Sequence, residues 1–162
     1  YTTYEKIAKT AQLRGFKLIL DTSAEFVPDL LKYRPYLIKP NDEELAEWFG
    51  LINPSLEEIK DCGQKLLEKG AENVLVSLGE KGAILFTPTE TIHVTAPKGE
   101  VVNTACAGDT LLATFVGSQL LGLSDEQALI KAVAAGSSTA FRPGLTDFSD
   151  VPTLMQQIKR IL

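Results

Sequence analysis

The run VVNTACAGDTLLATFVGSQLLG at 101–122 sets a carboxylate where a helix attracts anions. A strand is expected to lead into a loop of small residues, Ala105, Cys106, Ala107 and Gly108, and the loop leads directly into an apolar helix. Small side chains let backbone N–H groups face outward. At a helix N-terminus those groups and the aligned peptide dipoles favour a negative charge, so such a loop can cradle developing phosphate charge. Asp109 falls in the first turn, where it would repel a bound phosphate unless it had a task of its own, such as accepting a proton from an attacking hydroxyl. The plainer reading is a carboxylate that caps the helix and complements its dipole, worth about 0.3–1 kcal/mol. From this segment alone the plainer reading is the stronger. The spacing matches neither a Walker loop nor a Gly-x-Gly-x-x-Gly dinucleotide fingerprint.

The elements that must position these residues follow from periodicity and punctuation. Residues 1–14 have near-helical apolar spacing and end at Gly15, and FKLILD at 16–21 reads as a strand. Asp21, Thr22 and Ser23 introduce a helix from Ala24 to about Lys32, and Pro35 breaks the chain before the short strand YLIK. Helices are expected over 41–49 and 55–70, then the strand NVLVSLG at 73–79. Short strands GAILF and TIHV read as a hairpin, and helices follow at about 107–121, 124–140 and 151–161. Helices alternating with short apolar strands predict one doubly wound α/β domain over 1–162, a mostly parallel sheet flanked by helices with an antiparallel hairpin at its margin. Gly136, inside a helix, costs about 1 kcal/mol relative to Ala and so predicts close packing against a binding pocket or a neighbouring helix. His93 is expected at the surface. Cys106 is either an oxidation-sensitive thiol or a buried small hydrophobe.

Bulk properties bound the partners. The chain has 162 residues, 44% hydrophobic and 23% charged, with a formal charge of −5. That length supports one hydrophobic core, and that charge disfavours a nucleic-acid backbone or an anionic membrane as partner. No apolar run is long enough to span a bilayer, and a cytoplasmic location is expected. Cys62 and Cys106 lack metal-ligand spacing, and a structural disulfide is not expected.

Five blocks in order, DTSA at 21–24, IKPNDEEL at 38–45, VLVSLGEKGA at 74–83, NTACAGDTLLATF at 103–115 and AAGSSTAF at 134–141, resemble the C-terminal half of the phosphofructokinase-B family of sugar kinases, within the ribokinase-like superfamily. The DTS turn and the IKPN block are most similar to bacterial 1-phosphofructokinases, with tagatose-6-phosphate kinases close behind. The resemblance implies ATP and Mg²⁺ as cofactors and a sugar phosphate as substrate, fructose 1-phosphate becoming fructose 1,6-bisphosphate. It implies Asp109 as general base and the amides of Ala105, Cys106, Ala107 and Gly108 as an anion hole, with cysteine standing where glycine or alanine is usual. It places an Asn-x-x-Glu motif on Asn41 and Glu44, which would organise hydrated Mg²⁺ without a direct metal ligand; a capping box fits those two residues equally well. Lys39 would neutralise phosphate, with a solvated strand-end lysine as the alternative. Ser77, Gly79, Gly82 and Gly136 would line the nucleotide, though the glycines serve turns equally well. Asn103 falls where some superfamily members bind a monovalent cation, but it replaces their aspartate and is given no role.

The chain opens at Tyr1 and its single methionine is Met155, so the natural start and the N-terminal half of such a kinase, with its β-sheet lid, are expected to be missing. A chain of this extent is expected to be a poor enzyme alone and to self-associate, for example as a homodimer, through an exposed edge at the FKLILD strand or its neighbour. A kinase for a nucleoside or unphosphorylated sugar, and a non-catalytic nucleotide-binding module with Asp109 as a mere cap, stand as alternatives.

Overall fold

Short runs of β-branched and leucine residues, each followed by a turn, form five strands in a computed structural model that describes residues 1–162. They are β1 (Ile19–Leu20), β2 (Leu37–Ile38), β3 (Val74–Ser77), β4 (Ala83–Phe86) and β5 (Thr91–Val94), in the sheet order β1-β2-β3-β4-β5. β1, β2 and β3 pair in parallel, Ile19 opposite Leu37 and Ile38 opposite Val74. Parallel neighbours need a crossover of a dozen or more residues. Seven helices include those crossovers: α1 (Thr2–Arg14), α2 (Val27–Leu30), α3 (Asp42–Phe49), α4 (Leu56–Glu68), α5 (Ala107–Leu120), α6 (Asp125–Ala140) and α7 (Val151–Met155). The links from β3 to β4 and from β4 to β5 are too short for crossovers, which makes them antiparallel hairpins. The sheet is therefore mixed, as the strand pattern predicts. No helix is long and apolar enough to cross a membrane.

The chain divides into two compact units, one of Tyr1–Ser77 with Leu85–Thr91 and one of Leu78–Ile84 with Ile92–Leu162. In the first, Leu37, Ile38, Val74, Leu75 and Val76 are fully buried, and α4 turns Ile59, Cys62 and Leu66 inward. In the second, α5 and α6 pack on each other through small residues. A methyl group on Gly136 would lie 3.0 Å from the Ala107 carbonyl oxygen and 3.2 Å from Leu111 Cβ, so the glycine lets the two helices approach closely.

Four expectations are corrected. The strand expected before α5 is absent, residues 101–104 running without regular pairing to a neighbour. The helix read from Ala24 to Lys32 is one α-turn, Val27–Leu30, followed by a 3₁₀ turn over Leu31–Tyr33. The last helix stops at Met155, because the tail pairs with β5 instead of continuing the helix: Thr95 N–H donates to Lys159 O, Ile161 N–H to His93 O, and Val94 bridges Arg160 antiparallel. That pairing also covers β5, so His93 is 3% exposed and not a surface residue. β1 stands at the other end of the sheet order, where FKLILD was expected to leave an edge.

Candidate functional site

In the first unit, residues proposed for phosphate and metal gather at the carboxyl ends of the parallel strands, where ligands bind in open α/β sheets. Asp21 follows β1 directly, Lys39 follows β2, and Ser77 ends β3 and bridges to Asn41. Lys39 is only 7% exposed and its Nζ lies 3.1 Å from Asp21 Oδ1. A buried ammonium without a counter-ion is costly, so the pair is held by mutual need. That burial excludes the solvated-lysine alternative. Asp21 was not among the residues singled out in the sequence, although the Asp-Thr-Ser turn carries it.

Asn41 and Glu44 form a complete capping box at the head of α3. Asn41 Oδ1 accepts from the Glu44 N–H at 2.7 Å, and Glu44 Oε2 accepts from the Asn41 N–H at 2.9 Å. The box commits one oxygen of Glu44 and leaves Oε1 and the Asn41 amide nitrogen for other partners.

The second unit holds the head of α5, whose start differs from an ordinary cap. Its N-cap, Cys106, has φ 61°, a left-handed conformation unusual for a residue with a side chain, and gives no side-chain hydrogen bond. Of the four amides assigned to the anion hole, two are engaged within the chain. Ala105 N–H donates to Asn103 Oδ1 at 2.9 Å, and Ala107 N–H to the Thr104 carbonyl at 3.1 Å. The N–H groups of Cys106, Gly108 and Asp109 have no acceptor within the chain. These are orphan donors of the kind that open any helix, gathered beside an exposed loop. The exposed carboxylate of Asp109 makes no hydrogen bond or ion pair, so it is not a hydrogen-bonding cap. Cys106 is exposed, against its reading as a buried small hydrophobe.

The glycines divide by what surrounds them. A methyl group on Gly82, at φ 96°, would lie 2.0 Å from the Val94 carbonyl oxygen, so its missing side chain admits the chain's own β5. Gly136 does the same for α5. Gly79, at φ 57°, faces open space. A groove of about 850 Å³ is lined by Arg34, Glu68, Glu72, Asn73 and Thr87 and lies in the first unit before β3, at the amino end of that strand and away from Ser77.

Strand ends, an uncapped helix start and an idle carboxylate fit a phosphate-handling α/β protein, and comparison with known proteins names its kind. The sequence profile described as pfkB family carbohydrate kinase matches residues 1–153. The chain belongs to the pfkB family of carbohydrate kinases. Among relatives of this pfkB chain, the D-tagatose-1-phosphate kinase of Bacillus licheniformis is 50% identical over 96% of the chain and 52% of the relative. The 1-phosphofructokinase of Bacillus subtilis is 38% identical over 98% of the chain and 52% of the relative. The structure of Arabidopsis thaliana ribokinase complexed with ribose and ATP superposes with a TM-score of 0.80 at 31% identity, over 94% of this pfkB chain and 51% of the ribokinase. The chain spans about half the length of the curated relatives it matches.

Proposed function

We propose that this chain supplies the phosphoryl-transfer half of an ATP-dependent kinase acting on a ketohexose 1-phosphate. The observation that carries the reading is the carboxylate of Asp109, idle at the third position of α5 beside N–H groups with no acceptor in the chain. Phosphoryl transfer asks for positioning and for stabilisation of charge on the transferred group more than for covalent help. Asp109 takes the proton of the attacking hydroxyl. The N–H groups of Cys106 and Gly108, with the dipole of α5, hold the negative oxygens of the transferred group. Lys39, already paired with Asp21, adds positive charge at the end of β2, and Ser77 and Gly79 flank the nucleotide. Mg²⁺ carried on the ATP phosphates would supply further neutralisation of their charge, and Asn41 and Glu44 would be the residues to hold its water shell, since the capping box leaves one carboxylate oxygen free, too few for a protein cage.

The names of the relatives support a ketohexose 1-phosphate. Fructose and tagatose differ only in the configuration at one carbon, so the phosphate-handling residues serve either. With about half the length of its relatives, the isolated chain is expected to turn over poorly. The test uses the intact protein that carries this chain, assayed with ATP against D-fructose 1-phosphate, D-tagatose 1-phosphate, unphosphorylated hexoses and nucleosides. Turnover of either ketohexose 1-phosphate supports the reading. Turnover confined to unphosphorylated sugars or nucleosides, or no turnover with ATP binding retained, overturns it.

A further inference from the structure

We infer that Thr139 is a positioning residue for the head of α5, and that the loop 142–150 sets, through its hydroxyl, where Asp109 and the unpaired amides stand. The inference rests on the proposed role of Asp109. Thr139 lies in the last turn of α6, is 1% exposed, and uses both faculties of its hydroxyl. Its Oγ1 donates to Thr110 Oγ1 at 3.1 Å, one residue after Asp109, and accepts from the Thr146 N–H at 3.2 Å. No other side-chain hydrogen bond reaches the first turn of α5 from outside the helix.

The loop end of this chain of hydroxyls is firmly held. Fully buried Ser138 donates to Asp150 Oδ1 at 2.5 Å and shares a 2.6 Å hydrogen bond with Thr146 Oγ1. Arg142 spans the loop, with Nη1 2.7 Å from Asp147 Oδ1 and Nη2 2.9 Å from Asp150 Oδ2. A second strap joins the same loop to the residues before α5. Asn103 donates from Nδ2 to the Pro143 carbonyl at 3.4 Å and accepts the Ala105 N–H on Oδ1. The network of hydroxyls, with Ser138 and Thr139 buried, Thr146 and Thr110 half-buried and the Thr146 N–H as one link, ends on the residue beside Asp109, an expensive arrangement for stability alone, since each buried hydroxyl needs its partner. Small displacements at a reacting group have large consequences for rate, which gives the arrangement a use.

Thr139→Val removes the hydroxyl while keeping the shape, and Thr139→Ser restores it. In the intact protein Thr139→Val is expected to lower kcat by about tenfold with the KM for ATP within about twofold, and Thr139→Ser to return kcat towards the parent value. In this chain, hydrogen exchange at the Thr110 and Leu111 amides is expected to quicken in Thr139→Val and in Thr110→Val, while exchange at the middle of α6 keeps its rate. The exchange measurement needs no activity, so it decides the coupling even if the kinase reading fails. Unchanged exchange at Thr110 and Leu111 overturns the inference, as does a uniform rise across α5 and α6, or a kcat loss that serine does not rescue. Should Thr139→Val fail to fold, Thr110→Val, at a half-buried position, gives the same three outcomes.

Discussion

Three helices of this chain, α3, α4 and α6, start alike, and α5, with a carboxylate at the same third position, does not. Glu44 in α3, Glu58 in α4 and Gln127 in α6 each reach back to the N–H of the N-cap residue, while Asn41, Ser55 and Ser124 accept the N–H of that third residue. Those N-caps are extended, with φ of −88°, −67° and −63°. α5 departs at every point. Its N-cap is a cysteine, which offers no oxygen; its φ is 61°; and its third residue is an aspartate whose carboxylate bonds to nothing. A reciprocal cap stabilises a helix by about 0.5–2 kcal/mol, so the head of α5 forgoes stability that the same chain secures elsewhere. On the proposed function, a helix start left with open donors and an idle carboxylate is where a partner other than the chain's own backbone would bind.

The comparison breaks first at Asp109. Asp109→Asn in the intact protein is expected to cut kcat about 10³-fold with ATP binding retained, since a positioned base contributes about 10²–10⁴-fold. The same substitution in this chain should leave denaturant stability within about 0.5 kcal/mol, because no cap is lost. Steady-state kinetics and urea titration check the two halves, and undiminished turnover would make α5 merely a poorly capped helix. Asn41→Ala is the mirror case, expected to cost about 1 kcal/mol in the same urea titration. Cys106→Gly sharpens the contrast from the other side. Glycine adopts a left-handed conformation without the penalty a side chain incurs, so the variant is expected to gain up to about 1 kcal/mol in thermal or denaturant unfolding. A loss would show that the thiol makes up for its strain.

How much of this could be read from residues depends on whether the signal was local. The capping boxes at Asn41 and Ser55 are written within four residues, and α3 and α4 fall where their spacing puts them. The strands shrink instead: FKLILD keeps only Ile19–Leu20 as strand, because pairing partners set strand length and lie far along the chain. The final helix yields to a pairing between the tail and β5 that no local propensity announces. At the site, an idle carboxylate and a capping one look identical as letters. What separates Asp109 from Glu44 is the sign of φ at Cys106, and cysteine carries no preference that would reveal it. Lys39 was ambiguous for the same reason, its counter-ion Asp21 lying on another strand. Thr139 escaped notice because a threonine in an alanine-rich helix resembles any buried small residue until its two hydrogen bonds are seen.

The smallest effect concerns the acid limb of stability and tests the working cap with which α5 is compared. The Ser55 N–H, then the Ser55 hydroxyl, bond the Glu58 carboxylate and lower its pKa from the ordinary 4.5. A group whose folded pKa is depressed contributes stability that is fully present above the unfolded value and lost as pH falls through the folded one. The box on α4 is therefore expected to weaken progressively below about pH 4.5. Glu58→Gln keeps an acceptor for the Ser55 N–H but cannot titrate, so urea titrations at pH 7 and pH 3 should show a smaller acid loss in the variant than in the parent chain. An acid loss equal in the variant and the parent chain would mean that the Glu58 carboxylate does not carry the cap on α4, and the contrast between the starts of α4 and α5 would then lie in backbone conformation alone.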